Sequence, residues 1–336
     1  MKKKIDLVIP DESLSTIDCW ESIATIVFDY LNKDLSTFYT AADFYYDNMA
    51  SINQELTLDD IFQKTIVLNN KEFIEEYLWY YEHFHSLKLE VVDKKSIAEM
   101  KKVIEEELYN NNPIIVFVDS YYCKFNKMYL KYHIPHAFLT SGINKDKLII
   151  TDPTQHIEPL EVEIDDIYLC TEKLVKIRDL SNNKTWEPIP MIKYNFIRTN
   201  FRSTDSQNAR LKNIESFFED IMKSKSQIFR SFDNSEESLS ILFTWRLKNM
   251  ALHIKKFTVL IEKTYTRDVL HLLPMLKDSY NSWLLAGRSF MKMYYANERQ
   301  REEMFRKFCN ILNNIITLER AILKEFESLL KLEEEA

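Results

Sequence analysis

Residues 18–31 read Asp18-Cys19-Trp20-Glu21-Ser22-Ile23-Ala24-Thr25-Ile26-Val27-Phe28-Asp29-Tyr30-Leu31. Apolar side chains fall at Trp20, Ile23, Ala24, Val27, Phe28 and Leu31, the spacing of a helix with one buried face. Asp18 suits the N-cap, and Ser13, Ser15 and Thr16 supply a polar approach. Cys19 then falls in the first helical turn. Free N–H groups and the helix dipole favour an anion there, which is what a thiolate nucleophile needs. The same N–H groups can hold an oxyanion once sulfur attacks a carbonyl. A small buried hydrophobe is the competing account of such a cysteine, and the choice depends on residues more than a hundred positions downstream.

Residues 135–153 supply them. Pro135–Ser141 (Pro-His-Ala-Phe-Leu-Thr-Ser) predicts a strand, Gly142–Lys147 a hairpin turn and Lys147–Thr151 the return strand, stopped at Asp152-Pro153. A hairpin sets the start of one strand beside the end of its partner, so His136 and Asp152 are expected side by side. An imidazole that takes a thiol proton and a carboxylate that orients the imidazole make, with Cys19, the Cys-His-Asp arrangement of nucleophilic catalysis. Taken singly, His136 fits a hydrogen-bonded core histidine and Asp-Pro a turn opener. The three together favour the catalytic reading.

Around this frame the chain divides into two styles. Helical patterns are expected at Tyr39–Met49, Leu58–Gln63 and Asn70–Phe84, with His83 and His85 as surface or structural residues. Leu87–Val92 predicts a strand, Ser96–Tyr109 a helix opened by a Ser96/Glu99 capping box, and Ile114–Val118 a buried strand. Strand and loop follow over Leu160–Lys193, at Glu161–Ile164 and Lys173–Leu180. From about 200 onward only helix periodicity remains. Expected helices are Asp205–Phe232, Ser235–Tyr265, Thr266–Asn297 with a kink at Pro274, and Glu298–Glu334. Stripes such as Leu239, Leu242, Phe243, Met250, Ile254, Phe257 and Ile261 read as bundle core. The expected fold class is therefore α+β, a helix plus antiparallel sheet over 1–200, followed by an all-α bundle over 201–336.

Composition narrows the function. With 46% hydrophobic and 13% aromatic residues the chain is globular, and its 336 residues suffice for two domains. Gly142 and Gly287 are the only glycines, which argues against a Rossmann or P-loop nucleotide site. Cys19, Cys123, Cys170 and Cys309 lie far apart and form no CxxC, so neither a disulfide framework nor a zinc cluster is indicated. His133 and His136 flank Pro135, which opposes a helical metal pair, and no metal is expected. Neither a signal core nor a run of about 20 apolar residues occurs, so a soluble, cytoplasmic protein is expected, with no membrane or nucleic-acid partner. Between Ser238 and Arg301 eleven basic residues face four acids, a net +7 in a chain of formal charge −8. Such asymmetry suggests a face that meets an acidic partner.

A helix opened by Cys, a strand bearing His and a return strand ending in Asp-Pro resemble papain-like cysteine peptidases of the bacteriocin-leader-cleaving type. The run Pro113-Ile114-Ile115-Val116-Phe117-Val118-Asp119-Ser120-Tyr121-Tyr122, with His133, His136 and Asp152-Pro153, resembles the butirosin-biosynthesis acyltransferase family over about residues 14–165. That resemblance implies a papain-like domain followed by a mainly helical region. It also implies acyl transfer from a carrier-protein thioester, through the enzyme cysteine, to a small amine. Cys19 would be the nucleophile, His136 the acid/base and Asp152 the orienter. Asp119 and Tyr121 would be structural or groove-lining, and Ser22 is a further groove candidate; by position alone, an oxyanion hole would rest on backbone N–H groups aided by Ser13, Ser15 or Ser22. The enzyme itself would need no cofactor, the phosphopantetheine belonging to an acyl or peptidyl carrier protein. Lys255, Lys256 and Arg288 are the expected docking residues for that carrier. One departure stands out: residues 11–18 hold no Gln or Asn of the kind papain-like peptidases use for the oxyanion. That weakens a leader-cleaving peptidase, the alternative, more than a transferase, since a thioester is already activated. A papain-like shell used only for binding, with Cys19 inert, is a third reading. Whether the helical region is a lid, a docking site or the interface of a homodimer stays open.

Overall fold

The computed structural model describes residues 2–9, 19–33, 46–47, 55–65, 78–79, 81–83, 85–152, 154–155, 158–180, 192, 210–234, 237–264 and 271–335. In chain order the elements are β1 (Lys2–Lys4), α1 (Cys19–Tyr30), α2 (Leu58–Gln63), β2 (Leu87–Asp93), α3 (Ile97–Tyr109), β3 (Ile114–Asp119), β4 (Pro135–Asn144), β5 (Lys147–Thr151), β6 (Leu160–Glu163), α4 (Ile164–Cys170) and β7 (Thr171–Asp179). Five helices follow: α5 (Arg210–Lys223), α6 (Lys225–Asp233), α7 (Glu237–Thr264), α8 (Leu272–Tyr295) and α9 (Glu298–Glu335). The protein is an α+β region built on an antiparallel sheet, followed by a long helical region. Two compact units form. One comprises Met1–Leu35 and Glu72–Trp186, the other Ser36–Lys71 and Glu187–Ala336. The second thus takes residues 36–71, which a single boundary near 200 assigns to the first. Within it Tyr46 and Lys64 both reach the Asp220 carboxylate at 2.7 Å.

In the sheet unit the strands run β2-β7-β3-β4-β5-β6, every pairing antiparallel, with β1 added against the far end of β4. Central β3 is a nearly continuous apolar run and β4 is buried along most of its length, as strands covered on both faces require. One face holds Val116, Val118 and Phe138 against Met100, Ile104 and Leu108 of α3. Ser96 and Glu99 form the expected capping box, each side chain bonding the other's backbone N–H. Buried Glu107 of α3 is neutralised by Arg178, by Lys176 at 3.2 Å and by Asn112 at 3.2 Å.

The hairpin departs from expectation in one instructive place. Gly142 is not in the turn: β4 continues to Asn144, and the turn is Lys145–Asp146, with Lys145 at φ 60°. Gly142 sits inside the strand, at a register shift between β4 and β5 and opposite Lys4 of β1. A Cβ there would lie 2.8 Å from the Lys3 carbonyl oxygen and 2.9 Å from Ile149 Cδ1. The glycine therefore serves the close approach of β1 rather than turn geometry. β1 and α4 are elements the periodicity did not indicate.

In the helical unit, α7, α8 and α9 pack in sequence as long neighbours, with α5 against α9. The expected helix over Asp205–Phe232 is two helices, α5 and α6, divided at Ser224, whose hydroxyl accepts the Leu56 backbone N–H at 2.8 Å. Pro274 makes no mid-helix kink. It occupies the first turn of α8, where its missing N–H costs nothing. Most of the expected helices Tyr39–Met49 and Asn70–Phe84 lies outside the described residues, and the described 46–47 are not helical.

Candidate active site

Cys19 is the first residue of α1 and is half-buried, whereas Cys123, Cys170 and Cys309 are buried. Its neighbour Trp20 fixes the start of the helix. The indole N–H donates to the Tyr81 hydroxyl at 3.0 Å, and the ring stacks on Phe117 of β3, centroids 5.7 Å apart. Ile23, Ile26, Val27 and Phe28 complete the buried face, and α1 packs on β4. A helix anchored at its first turn holds its leading side chain still against the sheet. The expected N-cap Asp18 and the polar approach Ser13, Ser15 and Thr16 lie outside the described residues.

His136 is the second residue of β4, paired with Val118, and is 7% exposed. Asp152 follows the last residue of β5 and is 3% exposed. The two side chains meet as the hairpin predicts, His136 Nε2 to Asp152 Oδ2 at 2.7 Å. The other carboxylate oxygen, Oδ1, accepts the Thr154 hydroxyl at 2.6 Å and the Thr154 backbone N–H at 3.2 Å. Both oxygens of the buried carboxylate are thereby held, as burial of a charge demands. Pro153 lies outside the described residues, and Thr154 is a contributor that sequence reasoning missed. Its signal was present as Asp-x-Thr, the spacing of a side chain that caps its own turn.

With Nε2 taken by an acceptor, Nδ1 is the imidazole nitrogen left for the thiol. Cys19 acts on the His136 imidazole alongside Asp152. Burial works against an imidazolium here. The Cys19 charge, the hydrogen bonds to Asp152 and Cys19, and the Asp152 charge outweigh it and raise His136 to about 10. The arrangement therefore favours a proton on the imidazole. Two further thiols are shifted. Cys123 is raised by its hydrogen bond with Cys170 and by burial, and Cys309 rises to about 11 through burial. Both are set up to stay protonated.

The remaining predicted residues fall into separate places. Ser22, one turn along α1, is 0% exposed, so it belongs to the helix interior and lines no open groove. Asp119 ends β3, and Tyr121 follows in a single 3₁₀ turn, its backbone N–H donating to Asp119 Oδ1 at 2.9 Å. Asp119 also holds His133, which the sequence placed in the family-like run without a role. In the helical unit Lys255 and Arg288 are exposed on α7 and α8, while Lys256 is half-buried. Among the described residues no three His, Cys, Asp or Glu are grouped to hold a metal ion, and no helix is long and apolar enough to cross a membrane.

Comparison with known proteins adds little to this geometry. No protein-family profile matches the chain, and no curated protein matches it. A crystal structure from Bacillus anthracis, provisionally designated a C39-like peptidase, is similar at 12% identity and a TM-score of 0.23. The match covers 31% of this chain and 58% of that one.

Proposed function

We propose that this protein is a cysteine-dependent acyltransferase with a papain-like catalytic region. It takes an acyl group from a carrier-protein thioester onto Cys19 and passes it to a small amine, making an amide in a thiotemplated natural-product pathway. The observation that carries the proposal is the buried His136–Asp152 pair, with the thiol at the head of α1 acting on its imidazole. The butirosin-type resemblance supports it over the same residues. A related assembly-line amide synthase, that of closthioamide biosynthesis, is the nearest activity we would assign.

The steps follow from the groups present. His136 holds the thiol proton, and the Cys19 thiolate attacks the thioester carbonyl. The oxyanion is met by backbone N–H groups at the start of α1, which have no partner inside the helix. His136 returns its proton to the departing pantetheine thiol, leaving Cys19 acylated. Asp152, itself fixed by Thr154, keeps the imidazole oriented and stabilises its charged form. An amine then attacks the acyl-enzyme, the C–S bond breaks, and Cys19 is restored. The carrier is proposed to be an acidic protein that meets the basic α7–α8 segment, with exposed Lys255 and Arg288 as contacts and Lys256 as a half-buried contributor. No cofactor resident on this chain is required by these steps.

The test is intact-protein mass after incubation with a panel of acyl-pantetheine thioesters, for wild type and Cys19→Ala. One acyl mass added to wild type alone, discharged faster by amines than by water, is the expected result. Absence of an adduct on wild type defeats the proposal, and cleavage of a peptide substrate that Cys19→Ala abolishes would put a peptidase in its place.

A further inference from the structure

The strand pair that carries His136 carries a second histidine–carboxylate pair at the same end. Asp119 closes β3 in register with Pro135, the residue before His136. Its Oδ2 lies 2.7 Å from His133 Nδ1, and its Oδ1 is occupied by the Tyr121 N–H. The Tyr121 ring stacks on the imidazole at 4.2 Å and 18°, and the Tyr122 ring meets it edge-on at 5.7 Å. The imidazole is thus fixed by a carboxylate at one nitrogen and by two aromatic rings. Its side chain is nevertheless 60% exposed, and Nδ1 is the nitrogen that the carboxylate holds.

Its position relates it to Cys19. Side chains alternate along a strand, so Asp119 shares a sheet face with Phe117, a two-residue step of about 7 Å away. Phe117 is the ring on which Trp20 stacks, and Trp20 follows Cys19. Asp119 therefore belongs to the face that α1 covers, at the strand end where His136, opposite Val118, begins β4.

The two pairs differ in exposure, and that difference suggests a division of labour. His136 and Asp152 are closed off from water, suited to holding one proton beside sulfur. His133 can take a proton from an incoming molecule and release it to solvent. An alkylamine needs that service: with a pKa of about 10 it arrives at neutral pH as an ammonium, without a lone pair to attack.

We propose that His133, oriented by Asp119, deprotonates the acceptor ammonium in the second half of the reaction. This rests on the acyl-transfer reading above. One ammonium proton moves to His133 Nε2 and on to water. The free amine nitrogen bonds to the acyl carbon as the carbon–sulfur bond to Cys19 breaks. A second amine proton passes through His136 to the Cys19 sulfur. The products are an amide, the free thiol and one proton in solvent. Asp119 acts as a positioning residue, and the acceptor class is a basic primary amine.

The experiment uses full-length wild type and His133→Gln, each loaded with acyl groups from acyl-pantetheine thioesters and followed by intact mass. His133→Gln is expected to acquire the acyl group as fast as wild type. Its discharge by ethanolamine at pH 7 is expected to fall roughly 10- to 100-fold. Discharge by hydroxylamine, a weak base already neutral at pH 7, is expected to change less than about twofold, the catalytic gain of proton removal being absent for it. Raising the pH toward 10 should restore ethanolamine discharge. Equal discharge of ethanolamine by variant and wild type overturns the inference, as does an equal loss for both amines. Failure of wild type to take up an acyl group defeats the underlying reading instead. Should His133→Gln fail to fold, Asp119→Asn is read in its place. It is expected to show the same pH-dependent ethanolamine defect, and a loss independent of pH overturns the inference.

Discussion

The buried carboxylates of the sheet unit and the buried polar residues of helix α7 are held on different terms. In the sheet unit, Asp152 has one oxygen on His136 and the other on Thr154, and Glu107 is met by Arg178, Lys176 and Asn112. In the helical unit, α7 buries Ser240, Thr244 and Asn249 with side-chain polar atoms that find no hydrogen-bond partner among the described residues. Its core is held instead by rings: Phe290 touches Phe232, Phe243 and Phe308. A β-ladder fixes each residue against a named partner, so it can place an imidazole and a carboxylate to within a hydrogen bond. Helices packed through aromatic side chains specify shape more than they specify pairs. The candidate site accordingly sits where the ladder is.

The largest effect expected from this contrast comes from Asp152→Asn. The substitution keeps the side-chain shape but loses the charge that orients and stabilises the imidazolium, and acyl transfer should fall roughly 100- to 10,000-fold. The His136 titration, read by NMR of labelled histidine, should move down from about 10. The sign of the accompanying stability change follows. A group raised from 6.5 to about 10 by folding adds stability that is complete below about pH 6.5 and is lost as pH rises toward 10. Wild type should therefore lose stability across that window, and Asp152→Asn should lose less. A His136 titration that is the same in both proteins would mean that the carboxylate is structural, and the contrast between the units would lose its functional half.

How much of this was legible beforehand depended on how local the signal was. The His136–Asp152 contact could be read because a hairpin converts sequence spacing directly into proximity. The helix at Cys19 and the Ser96 cap could be read because periodicity and capping are properties of a dozen residues. Gly142 was misread as a turn residue because glycine signals both turns and close backbone approach. Only the presence of β1, a three-residue strand from the far N-terminus, decides between them. The His133–Asp119 pair was invisible for a related reason: it joins a strand end to a residue two positions before the next strand, across a loop whose path no periodicity describes. The division at Ser224 went unseen because the apolar stripe continues through it, and what marks the break is a hydrogen bond from Leu56.

A second test bears on the helical unit. Phe290 is fully buried among three other phenylalanines, and its ring lies 4.4 Å from that of Phe243. Phe290→Ala should cost about 3–5 kcal/mol of that unit's stability, the usual toll of a large cavity. Phe290→Leu should cost less than about 1.5 kcal/mol, as near-volume-conserving apolar swaps do. Chemical denaturation measures both. If Leu proved as costly as Ala, the aromatic contacts would be specific pairs, and the helical unit would resemble the sheet unit more than the contrast allows.

The smallest expected effect is the sharpest probe. Asn249 is 3% exposed, and neither its amide oxygen nor its amide nitrogen is hydrogen-bonded among the described residues. A buried amide without partners forfeits its hydration, at a cost of about 1–3 kcal/mol. Leucine is close to asparagine in shape and has no such loss, so Asn249→Leu should stabilise the helical unit by about 1 kcal/mol. The gain would appear as a higher denaturation midpoint with an unchanged slope. A loss of stability would instead mean that the amide is satisfied within the folded protein, by water or by a bound group. The polar residues of α7 would then be as deliberately paired as Asp152 and Glu107, and the helical unit would hold a site of its own.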